Sequence, residues 1–200
     1  MRVVLLGDSH LARVRRDLPV LGPHVCNAAV GGATSLDLLA QAASAGVRED
    51  DVVVVSVGTN DAAPWKQVPV AAFGAAVTRC LESAPARSWV CVTPPGVDES
   101  RTGGRTNAVL DAYREAAVSA FAGARVVRAE EVIRPLGTGA FARDGLHLGG
   151  RAYALLLPAI ARTLAEDQTA RDIDRENAST VPSAATSKGT RSRTTKPRAR

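Results

Sequence analysis

The segment at residues 51–57, which reads DVVVVSV, constrains the fold more than any other part of the sequence. Its apolar residues are consecutive rather than alternating. Alternation is typical of a strand with one face in solvent, whereas a continuous apolar run is typical of a strand covered on both faces in a parallel sheet. The segment therefore predicts an interior strand with helices packed above and below it.

Four further segments are predicted strands, at residues 1–6, 20–27, 88–93 and 125–128. Helical patterns lie between and after them, at residues 11–18, up to residue 45, and at 69–84, 107–122 and 149–165, while residues 94–104 are expected to be a flexible connection and 135–143 an irregular loop. Strands that alternate with helices imply right-handed crossovers and a parallel sheet. The predicted fold is α/β, a three-layer α/β/α sandwich around a mostly five-stranded parallel sheet.

The 200 residues suit one domain followed by a tail, which we predict at residues 1–166 and 167–200. The tail is rich in Ser, Thr, Pro, Lys and Arg and has little to bury, so we expect it to be disordered. Residues 183–200 hold six basic residues and no acid, so the net charge of +5 comes from the tail. A solvated tail is favoured over a specific anion, membrane or nucleic-acid contact, and no nucleic-acid partner is expected for the folded domain.

Cysteine and histidine usage gives no sign of a metal or a disulfide framework. The three cysteines, Cys26, Cys80 and Cys91, lack CxxC spacing, and the three histidines form no recognisable ligand pair. No apolar run is long enough to span a membrane, and the chain starts directly in a strand pattern without a signal-peptide pattern. We therefore expect a cytoplasmic protein without a metal, and the sequence leaves its oligomeric state open.

The first predicted strand runs into Gly7-Asp8-Ser9, just before a helical pattern. Unpaired N–H groups at a helix N-terminus stabilise negative charge, so a serine there is well placed to be a nucleophile. Asp and Ser after a strand are also common helix caps. Taken alone, this segment is better explained as a cap, and the hypothesis of a nucleophile depends on residues elsewhere.

Asp144 and His147 form the second informative pair, between an irregular loop and the last helix. An aspartate can accept the Nδ1–H of a histidine and fix its tautomer, so that the imidazole acts as a base for Ser9. An isolated Asp-x-x-His is also consistent with a helix cap and a partly buried histidine.

Acyl transfer further needs hydrogen-bond donors for the oxygen that becomes negative. Asn60 follows the strongest strand, and Gly32 lies in a small-residue loop before Thr34 and Asp37, which have capping-box spacing. With the Ser9 N–H, the Asn60 amide and the Gly32 N–H make three candidate donors. Separately, Asn60 is also consistent with a turn and Gly32 with a hinge.

Together these segments resemble the SGNH/GDSL hydrolase family. The likeness rests on four separated blocks in the order of the family, which are Gly7-Asp8-Ser9, Gly32 after Asn27, Gly58-Thr59-Asn60-Asp61 and Asp144-Gly145-Leu146-His147.

The resemblance implies a flavodoxin-like sandwich and hydrolysis of esters through an acyl-serine intermediate, without a cofactor. It assigns Ser9 as nucleophile with Asp144 and His147, and Ser9, Gly32 and Asn60 as the oxyanion hole. The sequence departs from the family at His10, where the motif has leucine, at Ala152, where relatives often carry glycine, and at Gly31, which leaves open which glycine N–H faces the oxyanion.

The predicted function is therefore that of a serine esterase acting on small-molecule carboxylic esters. Short connections around Trp65 and at residues 96–104 predict an open cleft for short acyl groups such as acetyl. An acyltransferase with the same triad is the alternative within enzymes. A non-catalytic ligand-binding module on the same fold is the alternative outside them.

Overall fold

A five-stranded, fully parallel sheet forms the centre of the computed structural model, which describes the backbone of residues 1–179 and side chains up to residue 169. The strands are β1 (Val3–Gly7), β2 (Val25–Asn27), β3 (Val52–Ser56), β4 (Ser88–Val92) and β5 (Arg125–Val127), and their order across the sheet is β2-β1-β3-β4-β5. This is the strand order of flavodoxin-like folds. The predicted fold class is thus confirmed.

In the part of the chain that the structure describes, six α-helices connect or follow the strands. They are α1 (Ser9–Ala12), α2 (Leu38–Ala45), α3 (Val70–Ser83), α4 (Asn107–Ala120), α5 (Ala129–Ile133) and α6 (Gly150–Ser179), with 3-10 turns at Leu18–Leu21, Ser35–Asp37 and Arg134–Ala140. The capping box predicted at Thr34 and Asp37 is present at the start of the second 3-10 turn. Among the helices described here, none is long and apolar enough to cross a membrane.

Successive residues of each strand point into two different hydrophobic layers. Val3 and Leu5 of β1 pack with α5 and α6, whereas Val4 and Leu6 pack with α2, α3 and α4. All four side chains are at most 1% exposed. Burial on both faces is the reason that these strands are continuously apolar, as the pattern at residues 51–57 predicted.

The structure differs from the prediction just after β1. The helix expected at residues 11–18 is only the short α1, and β2 begins at Val25 rather than at residue 20. The Asn27 side chain donates to the carbonyls of Leu11 and Val14, at 2.8 and 3.0 Å, where further helical turns would place their own N–H groups. This side chain from β2 therefore caps the end of the first helix.

Helix α6 is longer than expected. It continues to Ser179, so it runs through the boundary predicted between residues 166 and 167. Asp167 is buried, and its carboxylate accepts a 2.8 Å hydrogen bond from the Ser88 hydroxyl at the start of β4. The remainder of the predicted tail, residues 180–200, lies outside the described residues.

The segment at residues 94–106 is packed, although the sequence suggested a flexible connection. Residues 94–98 are all buried, and the Asp98 N–H donates to the carbonyl of Gly145 at 2.7 Å. Asn107 closes the loop by bonding both backbone groups of Val97. This loop therefore connects the end of β4 to the turn that contains Asp144 and His147.

Two glycine-to-alanine variants test how tightly β1 and β3 approach. Gly7 has φ +132°, and a Cβ there would lie 1.9 Å from the Ser56 carbonyl oxygen. We expect Gly7→Ala to lower the free energy of unfolding by roughly 3 kcal/mol or more, because both backbone conformation and space are violated. Gly74, inside α3, is the control, because no atom lies within 4 Å of the place that an alanine methyl group would take. Gly74→Ala should raise the free energy of unfolding by roughly 0.5–1 kcal/mol. Urea unfolding measures both, and equal effects would contradict the close approach.

Candidate active site

The loops that follow β1, β2 and β3 meet at the carboxyl edge of the sheet. The connection after β1 leads to β2 on one side, and the connection after β3 leads to β4 on the other side. Such a switch point is where open α/β sheets bind ligands. The loops carry Ser9, Gly32 and Asn60, so the structure brings together the predicted residues from the first three sequence blocks.

The turn that presents Ser9 is held from several directions. The Asp8 N–H donates to the Ser56 carbonyl at 3.0 Å, and the Asp8 carboxylate accepts the His10 N–H at 2.9 Å as the N-cap of α1. Gln41 of α2 bonds both backbone groups of Gly7, at 2.6 and 2.9 Å. Ser9 is the first residue of α1 and is half-buried. Its backbone position is therefore fixed by the sheet and by α2.

The loop after β2 lies against Ser9. A Cβ built on Gly31 would stand 3.9 Å from the Ser9 Cβ, and Gly32 has φ +80°. The Asn60 amide nitrogen donates to the Ala33 carbonyl at 2.9 Å. An amide NH₂ has two protons, so the second N–H of Asn60 is available to another acceptor. The loop and Asn60 thus stand beside the serine.

Asp61 joins two of these loops, a role that the sequence did not reveal. One carboxylate oxygen accepts the N–H and the hydroxyl of Ser35, at 2.9 and 2.7 Å, and the other accepts the Gly58 N–H at 3.1 Å. Burial raises the pKa of this carboxyl, and the hydrogen bonds from Ser35 act in the opposite direction. Asp61 therefore fixes the loop after β2 relative to the loop after β3.

Asp144 and His147 form a pair within one turn. The Asp144 carboxylate accepts the backbone N–H groups of Leu146 and His147, each at 3.0 Å, and the His147 Nδ1 lies 2.6 Å from Asp144 Oδ2. Desolvation acts to raise the pKa of Asp144, but these hydrogen bonds outweigh it and hold the pKa below its ordinary value. An ionised Asp144 keeps the proton on Nδ1, which leaves Nε2 able to accept one.

The contact between His10 and His147 shows that the pair lies near the turn of Ser9. The imidazole rings of His10 and His147 are 6.3 Å apart between centroids and tilted by 53°. His10 is 3% exposed, and neither of its ring nitrogens has a partner among the described residues. Burial, with a smaller effect of His147, lowers the pKa of His10 to about 3. A neutral histidine adjacent in sequence to Ser9 thus lies beside the His147 ring.

A cleft opens next to the loop after β2. It has a volume of about 510 Å³ and is lined by Gly31, Gly32, Ala40, Gln41 and Lys66 among others. The Lys66 ammonium group donates to the Gly32 carbonyl at its rim. A larger cleft of about 630 Å³ lies at the opposite edge, where β4 and β5 begin. Of these two clefts, the smaller one adjoins the site.

The family model of GDSL-like lipases and acylhydrolases matches residues 6–155. The chain belongs to this family. The match runs from the end of β1 into α6 and includes Ser9, Asn60 and His147, so it covers the whole of the carboxyl edge just described. The SGNH/GDSL hydrolase resemblance is thereby confirmed, and the protein is a hydrolase of the esterase and lipase type.

Solved structures of similar fold support the same architecture. A lipase/acylhydrolase from Enterococcus faecalis has a TM-score of 0.71 and 23% identity, with 84% of this chain and 97% of that chain covered. An acetylxylan esterase from Geobacillus stearothermophilus has a TM-score of 0.64 and 19% identity, with 82% and 93% covered. At these identities the likeness establishes the fold of this GDSL-like hydrolase. No curated protein sequence matches the chain significantly.

Buried Asp8 gives the GDSL-like hydrolase a pH-dependent stability. Burial raises the pKa of its carboxyl to about 7 from the ordinary 3.8. The native state keeps this proton at pH values where the unfolded chain has released it. The contribution of Asp8 to the free energy of unfolding is therefore highest below about pH 4 and falls as the pH rises to about 7.

We therefore expect Asp8→Asn to gain stability relative to the wild type between about pH 4 and 7, by up to roughly 4 kcal/mol, and to keep a constant difference above that range. Urea unfolding of both proteins at pH 4.5, 6 and 8 measures this difference. A difference that does not change with pH would contradict the buried, neutral Asp8.

Proposed function

We propose that the protein hydrolyses carboxylic esters through an acyl-serine intermediate on Ser9, with His147 as the base and Asp144 as its orienting partner. The observation that carries this proposal is the 2.6 Å contact between His147 Nδ1 and Asp144. It leaves Nε2 as the nitrogen that can accept a proton, in a ring that stands beside the residue next to Ser9. Membership of a hydrolase family favours catalysis over a non-catalytic binding module.

In the first half-reaction, the Ser9 Oγ attacks the ester carbonyl while Nε2 of His147 takes the hydroxyl proton. The imidazolium that results is stabilised by the ionised Asp144. It then returns the proton to the alcohol oxygen as the carbon–oxygen bond of the ester breaks. The alcohol leaves, and the acyl group remains on Ser9.

Three donors support the negative oxygen of the tetrahedral intermediate. They are the backbone N–H groups of Ser9 and Gly32 and the second N–H of Asn60. Because Asn60 also donates to Ala33, its side chain is already oriented before the substrate arrives. Gly31 adds no side chain where a Cβ would face Ser9, so the carbonyl has room to approach. Water then repeats the sequence and releases the acid, without a cofactor.

Short acyl groups fit this proposal best. The connections around Trp65 and at residues 96–104 are short, which favours small acyl groups, and an acetylxylan esterase is among the proteins of similar fold. We expect 4-nitrophenyl esters of two to four carbons to have higher kcat/KM than those of eight to twelve. Initial rates over the series measure this preference, and a maximum at the long chains would contradict it.

Removing the nucleophile or one donor should separate catalysis from folding. We expect Ser9→Ala to abolish hydrolysis and covalent labelling by an organophosphonate. Asn60→Ala should lower kcat by roughly 10²- to 10³-fold, because one oxyanion donor is lost in the transition state. Steady-state kinetics and mass spectrometry of the labelled protein measure these effects.

Ser119→Ala is the matched control, because Ser119 is exposed near the end of α4, which leads to the opposite edge of the sheet. It should keep both labelling and turnover. Thermal unfolding of each variant shows whether the loss of the Asn60–Ala33 bond affects the fold. Labelling that persists in Ser9→Ala would mean a different nucleophile, and a normal kcat in folded Asn60→Ala would remove Asn60 from the oxyanion hole.

A further inference from the structure

Arg105 is a buried cation without an ionic partner. It is one of two arginines that are buried in the described part of the chain. The other, Arg114, bonds the Pro94 carbonyl at 2.8 Å and pairs with Asp111 and Glu130. Arg105 is 8% exposed, its Nε has no hydrogen-bond partner, and no carboxylate of the described residues lies within 4.0 Å of its guanidinium. Burying an unpaired charge costs free energy, and an anion from another molecule would offset this cost.

Trp65 holds the flat face of this guanidinium. The guanidinium carbon of Arg105 lies 4.4 Å from the centre of the indole ring, which is within cation–π distance. The indole itself is 65% exposed. Stacking on one face leaves the N–H groups at the edge of the fork free, and none of them takes part in a hydrogen bond with the described residues. The indole therefore fixes the plane of the guanidinium and leaves its outer N–H groups able to donate.

The position of Arg105 connects it to the candidate active site. Arg105 lies near the end of the loop at residues 94–106. Asp98 of this loop bonds Gly145, which belongs to the turn that contains Asp144 and His147. At its other end, a Cβ built on Gly104 would touch Pro64 at 3.4 Å, in the segment that follows Asn60. Asp8 and His10 are the two neighbours of Ser9 in sequence. Burial has the largest effect on the pKa of each, and the positive charge of Arg105 lowers both to a smaller extent. Arg105 thus belongs to a loop that contacts both the turn of the candidate base and the segment after Asn60.

We propose that Arg105 binds an anionic oxygen group of the substrate, a carboxylate or a phosphate, so that the enzyme prefers charged esters to neutral ones. This inference rests on the proposed function, since it names the substrate class of the same site. A guanidinium matches both groups with two parallel N–H···O bonds. Lys66, at the rim of the cleft, adds a second positive charge near the approaching substrate.

The test compares esters that differ in charge but little in size. For the alcohol side, 3-acetoxybenzoate and 3-acetoxyphenyl phosphate are compared with neutral 3-acetoxybenzamide. For the acyl side, mono-4-nitrophenyl succinate is compared with 4-nitrophenyl butyrate. We expect higher kcat/KM for the charged ester of at least one pair, and the pair and group that respond identify where the anion lies. This preference should decrease as salt is added, because screening weakens it.

Variants then assign the preference to Arg105. Arg105→Gln should lower kcat/KM for the charged ester roughly 10- to 100-fold, as expected for lost charge-assisted hydrogen bonds, and change the neutral ester less than threefold. Arg105→Lys should keep part of the preference. The matched control is Arg101→Gln in the same loop, since Arg101 is 45% exposed and already paired with Asp98 at 2.9 Å. That variant should leave the preference unchanged.

The outcomes separate this inference from the proposed function. If neutral esters are hydrolysed in a Ser9-dependent manner and the wild type shows no preference for charge at low salt, the inference is overturned while the function stands. Equal loss of both substrates in a folded Arg105→Gln variant would also overturn it, because Arg105 would then support the structure of the site without recognising the charge of the substrate. If Ser9→Ala still hydrolyses esters, the proposed function fails.

Calorimetric titration of 3-acetoxybenzoate and 3-acetoxyphenyl phosphate into Ser9→Ala gives a readout that does not depend on turnover. Binding of at least one of them that is lost in the Ser9→Ala, Arg105→Gln double variant supports the inference. Binding that persists undiminished in the double variant overturns it. Should Arg105→Gln fail to fold, Arg105→Lys and the salt dependence of the wild type decide in the same way.

Discussion

The contact between Gly7 of β1 and Ser56 of β3 is the constraint on which the rest of the molecule depends. The two strands approach so closely at their ends that only hydrogen fits in place of a side chain, and the next N–H, from Asp8, continues the pairing. Ser9 stands two residues beyond this contact. Its position is therefore set by the central strands of the sheet and by Gln41 rather than by a free loop. Reactive groups carried on rigid elements are held more accurately than groups on loops.

Asp51, which precedes β3, and the two carboxylates nearest Ser9, Asp8 and Asp61, are buried in different ways. At the amino end, Asp51 bonds the Arg2 guanidinium at 2.5 and 2.8 Å, and this bond is the chief reason that the pKa of Asp51 is lowered. At the carboxyl end, Asp8 and Asp61 are buried and form no ion pair with the described residues, and burial raises the pKa of both. The first arrangement stabilises the fold near neutral pH. The second arrangement costs stability, but Asp8 and Asp61 fix the turn and the loops around Ser9. The unfavourable burial of carboxyl groups thus occurs where it positions the candidate site.

Much of the fold followed from local patterns, because continuous apolar runs and helical spacing are properties of short segments. The strands, the long helices and the Thr34–Asp37 capping box were predicted in this way. What the sequence did not reveal depends on contacts between distant residues. Nothing local indicates that Asn27 ends α1, that α5 forms at Ala129–Ile133, or that residues 94–106 pack against Gly145. Gln41 does have a local signal, because it is a polar residue on the apolar face of α2. The order of motifs along the chain indicates the candidate nucleophile, base and donors, but it does not indicate that Gln41 and Asp61 hold them in place.

The loop at residues 94–106 has one end bonded to the turn of the candidate base and carries Arg105 at the other. Two properties that evolution would often alter separately, the choice of substrate and the orientation of the imidazole, are therefore inherited together. A relative with a new loop here would lose the contact between Asp98 and Gly145, and it would need a replacement that keeps the turn of Asp144 and His147 in position. Divergence among relatives should accordingly proceed by paired changes in this loop and in the turn at residues 144–147, and rarely by changes in either one alone.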